Sequence, residues 1–182
     1  ILLSMSRAHA ALAPTFVGNG CNAQNTSVSV SPDQRFVSVL YSGMLVEAGG
    51  STGVSTATKS CTIYVPIQLT YLAQVASQSI DHRGFDSLPA GASRTLATSV
   101  AIRPSNAQFF GIAHPQNNKK NGVANGNFQE TSSDSFAMSK CSRTHWLRIE
   151  LNLSVATNGA QQYVTSGLDS TDTDTTVSGS YG

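Results

Sequence analysis

The chain has 182 residues, 12% of them charged, and a formal net charge of +1. That length suits one sizeable core. With Lys119-Lys120 as the sole basic pair it lacks the clustered Lys and Arg of a nucleic-acid footprint, and no apolar run approaches the roughly 20 residues of a membrane-spanning helix.

From the N-terminus, Ile1-Leu2-Leu3-Ser4-Met5 is short and apolar, and Ala8-His9-Ala10 has a small-x-small pattern. Residues 1–12 read as the tail of a secretory signal peptide, or alternatively as an N-terminal strand or arm; residues 13–182 then form a single β domain. Gly18-Asn19-Gly20-Cys21 is a Gly-rich turn, followed by weak strands at Thr26–Ser31 and Arg35–Leu45 with Ser31-Pro32-Asp33 between them. After Gly49-Gly50, Cys61 opens a strong strand, Thr62–Thr70. Ile63, Val65, Ile67 and Leu69 alternate there with polar neighbours, and Pro66, which cannot donate a ladder hydrogen bond, argues for a sheet edge or bulge. Weaker strands follow at Ala73–His82, Arg94–Ile102 and Phe109–Ala113, with Pro89-Ala90-Gly91 as a turn.

Pro115–Gln129, rich in Asn, Gly and Lys, reads as a long surface loop, and Ser135–Cys141 as another weak strand. Trp146–Val155 is the clearest strand in the chain. Leu147, Ile149, Leu151, Leu153 and Val155 share one face, with Trp146, Arg148, Glu150, Asn152 and Ser154 on the other. Asn158-Gly159 predicts a hairpin into Gln161–Ser166, and Thr175–Tyr181 closes the series. Short strands, frequent turns and no period near 3.6 indicate an all-β, antiparallel β-sandwich or Greek-key barrel.

Three cysteines are present: Cys21, Cys61 and Cys141. They form no CxxC and no Cys/His cluster, which argues against zinc. A Cys21–Cys61 bridge would staple the domain, leaving Cys141 free or paired with a cysteine beyond Gly182.

Three segments in order resemble the family of small secreted proteins catalogued as domain of unknown function 4360. The first is Gly18-Asn19-Gly20-Cys21 with the strand Ser27–Asp33. The second is Lys59-Ser60-Cys61 followed by Asp81-His82-Arg83-Gly84-Phe85-Asp86-Ser87-Leu88 and Ala90-Gly91. The third is Cys141 with Leu147–Asn152 and the polar turn Asp169-Ser170-Thr171-Asp172. The resemblance implies a secreted β domain with four cysteines, the last in a C-terminal strand beyond this sequence. His82 stands where the family has an aromatic, and no activity comes with the family.

Few residue patterns point to chemistry. Asp81-His82-Arg83 places a carboxylate, an imidazole and a guanidinium together; on a strand His82 points away, and Asp81 and Arg83 are expected to pair at a corner turned by Gly84. No Gly-x-Ser-x-Gly elbow occurs, and His9, His114 and His145 stand isolated. Asp169, Asp172 and Asp174 form a weak calcium candidate without EF-hand spacing, more simply read as a polar hairpin tip. Trp146, Tyr64 and Tyr71 are candidates for stacking on a glycan, and Asn25 and Asn152 satisfy the N-glycosylation sequon of a glycoprotein.

These features point to a secreted, extracellular or cell-surface protein, not an enzyme, with no cofactor and no metal. It is expected to work through its surface. Its partners are either itself, as a filament built by β-strand addition of the arm Ile1–Leu12, or cell-wall and envelope components. The alternatives are a carbohydrate-binding module and a secreted hydrolase using Asp81 or His82.

Overall fold

The structure, a computed structural model, describes residues 13–68, 75–105, 115–137, 144–158 and 162–178. Two antiparallel sheets face each other. The first has the order β1-β5-β10-β7-β8, made of β1 (Thr15–Val17), β5 (Thr56–Gln68), β10 (Thr144–Ala156), β7 (Ser93–Pro104) and β8 (Gln116–Asn121). The second runs β2-β3-β11-β6-β9, made of β2 (Thr26–Val30), β3 (Phe36–Tyr41), β11 (Val164–Ser178), β6 (Val75–Leu88) and β9 (Ala124–Ala137). In this sheet β4 (Leu45–Ala48) continues beside β11 where β3 stops. The chain is therefore an all-β antiparallel sandwich.

Two-residue alternation builds the interior. Leu147, Ile149, Leu151, Leu153 and Val155 of β10 are buried beside Cys61, Ile63, Val65 and Ile67 of β5, and opposite Val37, Val39, Val46 and Val164 of the second sheet. Fully burying each of these aliphatic chains contributes about 1.5–3 kcal/mol. Pro66 pairs with Trp146 and lies past the last β1 pair, Thr15–Tyr64, where its missing N–H leaves no ladder bond to β1 unmade. Cys21 and Cys61 form a disulfide with Cα atoms 5.3 Å apart, tying the turn after β1 to β5. Cys141 lies outside the described residues.

Several sequence expectations are corrected. Pro115–Gln129 is not a loop: it forms β8 and the start of β9, joined by a turn at Gly122 with φ 86°. These are edge strands whose outer sides face water, so they carry polar residues on both faces and escape a hydrophobic pattern. Asn158-Gly159 is followed by no hairpin, because β10 and β11 belong to different sheets. Asp169–Asp174 is no hairpin tip but the middle of β11, which has a bulge between Leu168 and Ser170. Thr171, Thr173 and Thr175 point inward there, so hydroxyl-bearing residues take the positions where aliphatics were sought.

Gly84 does not turn the chain. It lies within β6 and has no positive φ. A Cβ on Gly84 would stand 2.1 Å from the Gly167 carbonyl oxygen and 2.8 Å from the Phe128 ring, so glycine is required by close approach.

The disulfide closes a sequence separation of 40 residues, a loop whose closure entropy is worth about 4 kcal/mol. We predict that Cys21→Ala/Cys61→Ala loses about 3–4 kcal/mol in urea denaturation, and that a reductant lowers the parent to the same level. A loss under about 1 kcal/mol would show that the bridge adds nothing to the scaffold.

Candidate functional site

Two regions are candidates for the site: a cleft between the sheets at their β8/β9 edges, and the outward face of the first sheet. The cleft, about 420 Å³, is lined by Asp86, Arg94, Lys120, Asn127, Phe128 and Glu130 among others. Arg94 is only 1% exposed, with Asp86 at 4% and Glu130 at 22%. Its Nε donates to Asp86 Oδ2 at 3.3 Å, while Nη1 and Nη2 donate to the two Glu130 oxygens at 3.0 and 2.6 Å. The guanidinium lies 4.2 Å from the Phe128 ring centroid, and Ser166 Oγ donates to Asp86 Oδ1 at 2.7 Å. Burial works against the charge on Arg94, but the Glu130 and Asp86 carboxylates outweigh it and hold its pKa above the ordinary value. This network joins β7 of one sheet to β6 and β9 of the other.

His82, beside it on β6, is fully buried between Thr171 Oγ1 and Thr98 Oγ1, at 3.0 and 2.9 Å from its two ring nitrogens. Burial pushes its pKa from 6.5 down to about 4, against the opposing pull of Glu130 and Asp81 and with a small push from Arg94. The ring is therefore neutral at pH 7.

Asp81 and Arg83 lie on the opposite, outward face of β6. Arg83 Nη2 donates to Asp81 Oδ2 at 2.9 Å, and Gln129 Nε2 and Thr131 Oγ1 donate to the same carboxylate at 2.8 and 3.3 Å. The sheet thus separates Asp81 from His82, and the two do not converge on one substrate. Asp172 accepts from Ser38, and Asp174 faces Arg35 at 3.6 Å; among the described residues no group of three or more His, Cys, Asp or Glu is placed to hold a metal ion. Asn25 Oδ1 accepts from the Asn22 N–H and the Thr26 hydroxyl at 2.7 and 3.0 Å, whereas Asn152 stands exposed on β10. Tyr71 and the arm Ile1–Leu12 lie outside the described residues.

On the outward face of the first sheet, strand register sets four cross-strand rows. Ser60, Asn152 and Ala97 form one row, then Thr62, Glu150 and Ser99, then Tyr64, Arg148 and Ala101, and finally Pro66, Trp146 and Arg103. Rows stand about 6.5–7 Å apart, two residues along a strand. Tyr64 and Trp146 are half-buried with their outward sides on neighbouring strands, and Arg148 pairs with Glu150 at 3.4 Å. A shallow groove of about 240 Å³ runs over Ser60, Thr62, Ser99, Glu150 and Asn152 beside Pro115.

Asp86, Arg94, Glu130 and Phe128 were not singled out from sequence. A signal for two of them exists: Asp86 is in phase with Leu88 and Arg94 with Leu96, so the alternation of buried aliphatics already turns both charges inward.

The family described as domain of unknown function, DUF4360, matches over residues 13–181. No curated protein matches the chain. Among similar solved structures is the carbohydrate-binding module TmCBM61 in complex with β-1,4-galactotriose, at 12% identity and TM-score 0.36, covering 91% of this chain and 88% of that one. Another, described as CBM4, is 12% identical with TM-score 0.32, covering 91% and 85%. A chain of infectious bursal disease virus, Gx strain, is 9% identical with TM-score 0.44, covering 94% of this chain and 34% of that one. At such scores and identities these likenesses carry no argument about ligand or activity.

Two predictions follow from the buried network. Arg94→Met, which leaves Asp86 buried and unpaired, should cost about 3–5 kcal/mol in urea denaturation; a cost below about 1 kcal/mol would mean that water already solvates the carboxylates. Because the folded-state pKa of His82 lies below its unfolded value, the unfolded chain binds the extra proton first. Its contribution is complete above pH 6.5 and is lost as pH falls toward 4, a total of about 3 kcal/mol. In a His82→Gln variant the slope of stability against pH between 6.5 and 4 should flatten; an unchanged slope would assign it to other groups.

Proposed function

The chain belongs to the DUF4360 family, and since that family brings a fold without an activity, we propose from the site itself that this is a non-catalytic, carbohydrate-binding protein of the extracellular space. The observation that carries the reading is the continuous outward strip across β5, β10 and β7. Tyr64 and Trp146, both half-buried, place aromatic side chains on it, with the Arg148–Glu150 pair, Thr62 and Asn152 supplying donors and acceptors alongside. Sugar rings present an apolar face of C–H groups and an equatorial fringe of hydroxyls. A flat aromatic with charged and amide groups beside it meets both needs.

The cleft supports the non-catalytic part of the proposal. An acid/base pair needs carboxylates able to exchange protons with a substrate. Asp86 and Glu130 are instead held by one buried guanidinium. The extracellular assignment rests on the Cys21–Cys61 disulfide, of a kind that persists in oxidising compartments. No helix of the described residues is long and apolar enough to cross a membrane. Cell-wall or envelope polysaccharides are the partners this surface suits.

Trp146→Ala and Tyr64→Ala should each weaken retention in polysaccharide affinity gels by at least about tenfold, while circular dichroism stays that of the parent. Retention unchanged in both variants would remove the strip from the binding surface.

A further inference from the structure

The net charge of +1 conceals an opposition between the two outer faces. On the first sheet the outward positions carry Arg103, Arg148 and Lys119 against a single carboxylate, Glu150, among the described residues. On the second sheet the sign reverses. Glu47, Asp81, Asp172 and Asp174, with Asp169 at the bulge, outnumber Arg35 and Arg83. The sandwich is positive on the face that carries Trp146 and Tyr64 and negative on the other.

The cations are also placed with respect to the rings. Arg103 stands directly across from Trp146 in the β10–β7 register, and Arg148 is two residues along on the same face of the same strand. Trp146 therefore has an arginine position on two sides, across the ladder and along it. Side chains directly opposite are about 4.5–5.5 Å apart at Cβ, and the next row is about 7 Å away, so one sugar ring over Trp146 brings its substituents within reach of both. Lys119 adds charge along the β8 margin, opposite Thr95. A neutral glycan makes little use of this arrangement. A planar carboxylate on the sugar ring matches the guanidinium fork, which donates two parallel hydrogen bonds to it.

On the carbohydrate-binding reading above, we propose that the ligand class is an anionic polysaccharide bearing uronate carboxylates, bound across β5, β10 and β7. The acidic face of the second sheet repels the same polymer and so confines it to one side. Glu150 tempers the site. Its carboxylate competes with the ligand for Arg148, and removing that charge strengthens binding.

The test compares polygalacturonate with its methyl ester, which keeps the backbone and removes the charge, by calorimetry over a salt series. Polygalacturonate should bind about tenfold tighter at low salt, the sum expected from a few exposed charge pairs. The difference should shrink several-fold by 1 M salt, where the Debye length falls to about 3 Å. Lys119→Glu, at an exposed position on an edge strand, and Arg148→Gln should each reduce the preference, and Glu150→Gln should increase it. Equal, salt-insensitive binding of acid and ester overturns the anionic assignment while leaving the carbohydrate reading intact. Binding of neither overturns both. A DNA duplex bound as tightly as polygalacturonate also overturns it, because charge alone then suffices without the sugar.

Discussion

The register of β10 governs the rest of the molecule. Five aliphatic side chains from Leu147 to Val155 must face the second sheet, and β5 and β7 pair with this strand along nearly its whole length. A slip by one residue would drive Arg148 and Glu150 inward and five aliphatics into water, so one register is strongly selected. The outward row of Trp146, Arg148, Glu150 and Asn152 is fixed by that same constraint. The candidate binding surface is thus the reverse side of the best-determined part of the core. It lies on paired strands, and its side chains are held at ladder spacing before any ligand arrives.

The two sides of the interior differ in kind. Around β3, β4, β5 and β10 the sheets meet through Val, Ile, Leu and the Cys21–Cys61 bridge. Toward β6, β7, β9 and β11 aliphatics such as Ile80, Leu88, Leu96 and Ile102 are interspersed with Gln78, His82, Asp86, Arg94 and the inward threonines. A buried charge is tolerated only when its partners are well placed, and Arg94 has a bidentate carboxylate on one side, a second carboxylate on the other and an aromatic ring at its face. Such a network contributes little net stability against an apolar equivalent, but leaves few alternative ways for the edges of the two sheets to meet. This accounts for a charged cleft that serves as a fastening between sheets.

What could be read from the sequence follows from which residues fill the inward positions. β10 and β5 are legible because aliphatics occupy every second place, and the same alternation puts Trp146 and Tyr64 on the outward face. β11 was broken in two, since Thr171, Thr173 and Thr175 bury methyl groups while reading as polar. β8 and the start of β9 read as a loop because their polar residues serve edge strands. A turn signal such as Asn158-Gly159 does not say whether the strands on either side of it share a sheet, and β10 and β11 do not. The Arg94 network joins residues 8 and 36 positions apart, and phase alone cannot say which inward charges will meet. The charge opposition between the outer faces is hidden in the same way, because composition sums over both.

The most direct measurement is a titration of isotope-labelled protein with an acidic oligosaccharide, followed by amide and side-chain chemical shifts. The account predicts that the perturbed signals cluster on the outward residues of β5, β10 and β7, with the Trp146 indole N–H among the largest. Perturbations centred on Asp86, Arg94 and Glu130, or on the acidic face of the second sheet, would contradict it.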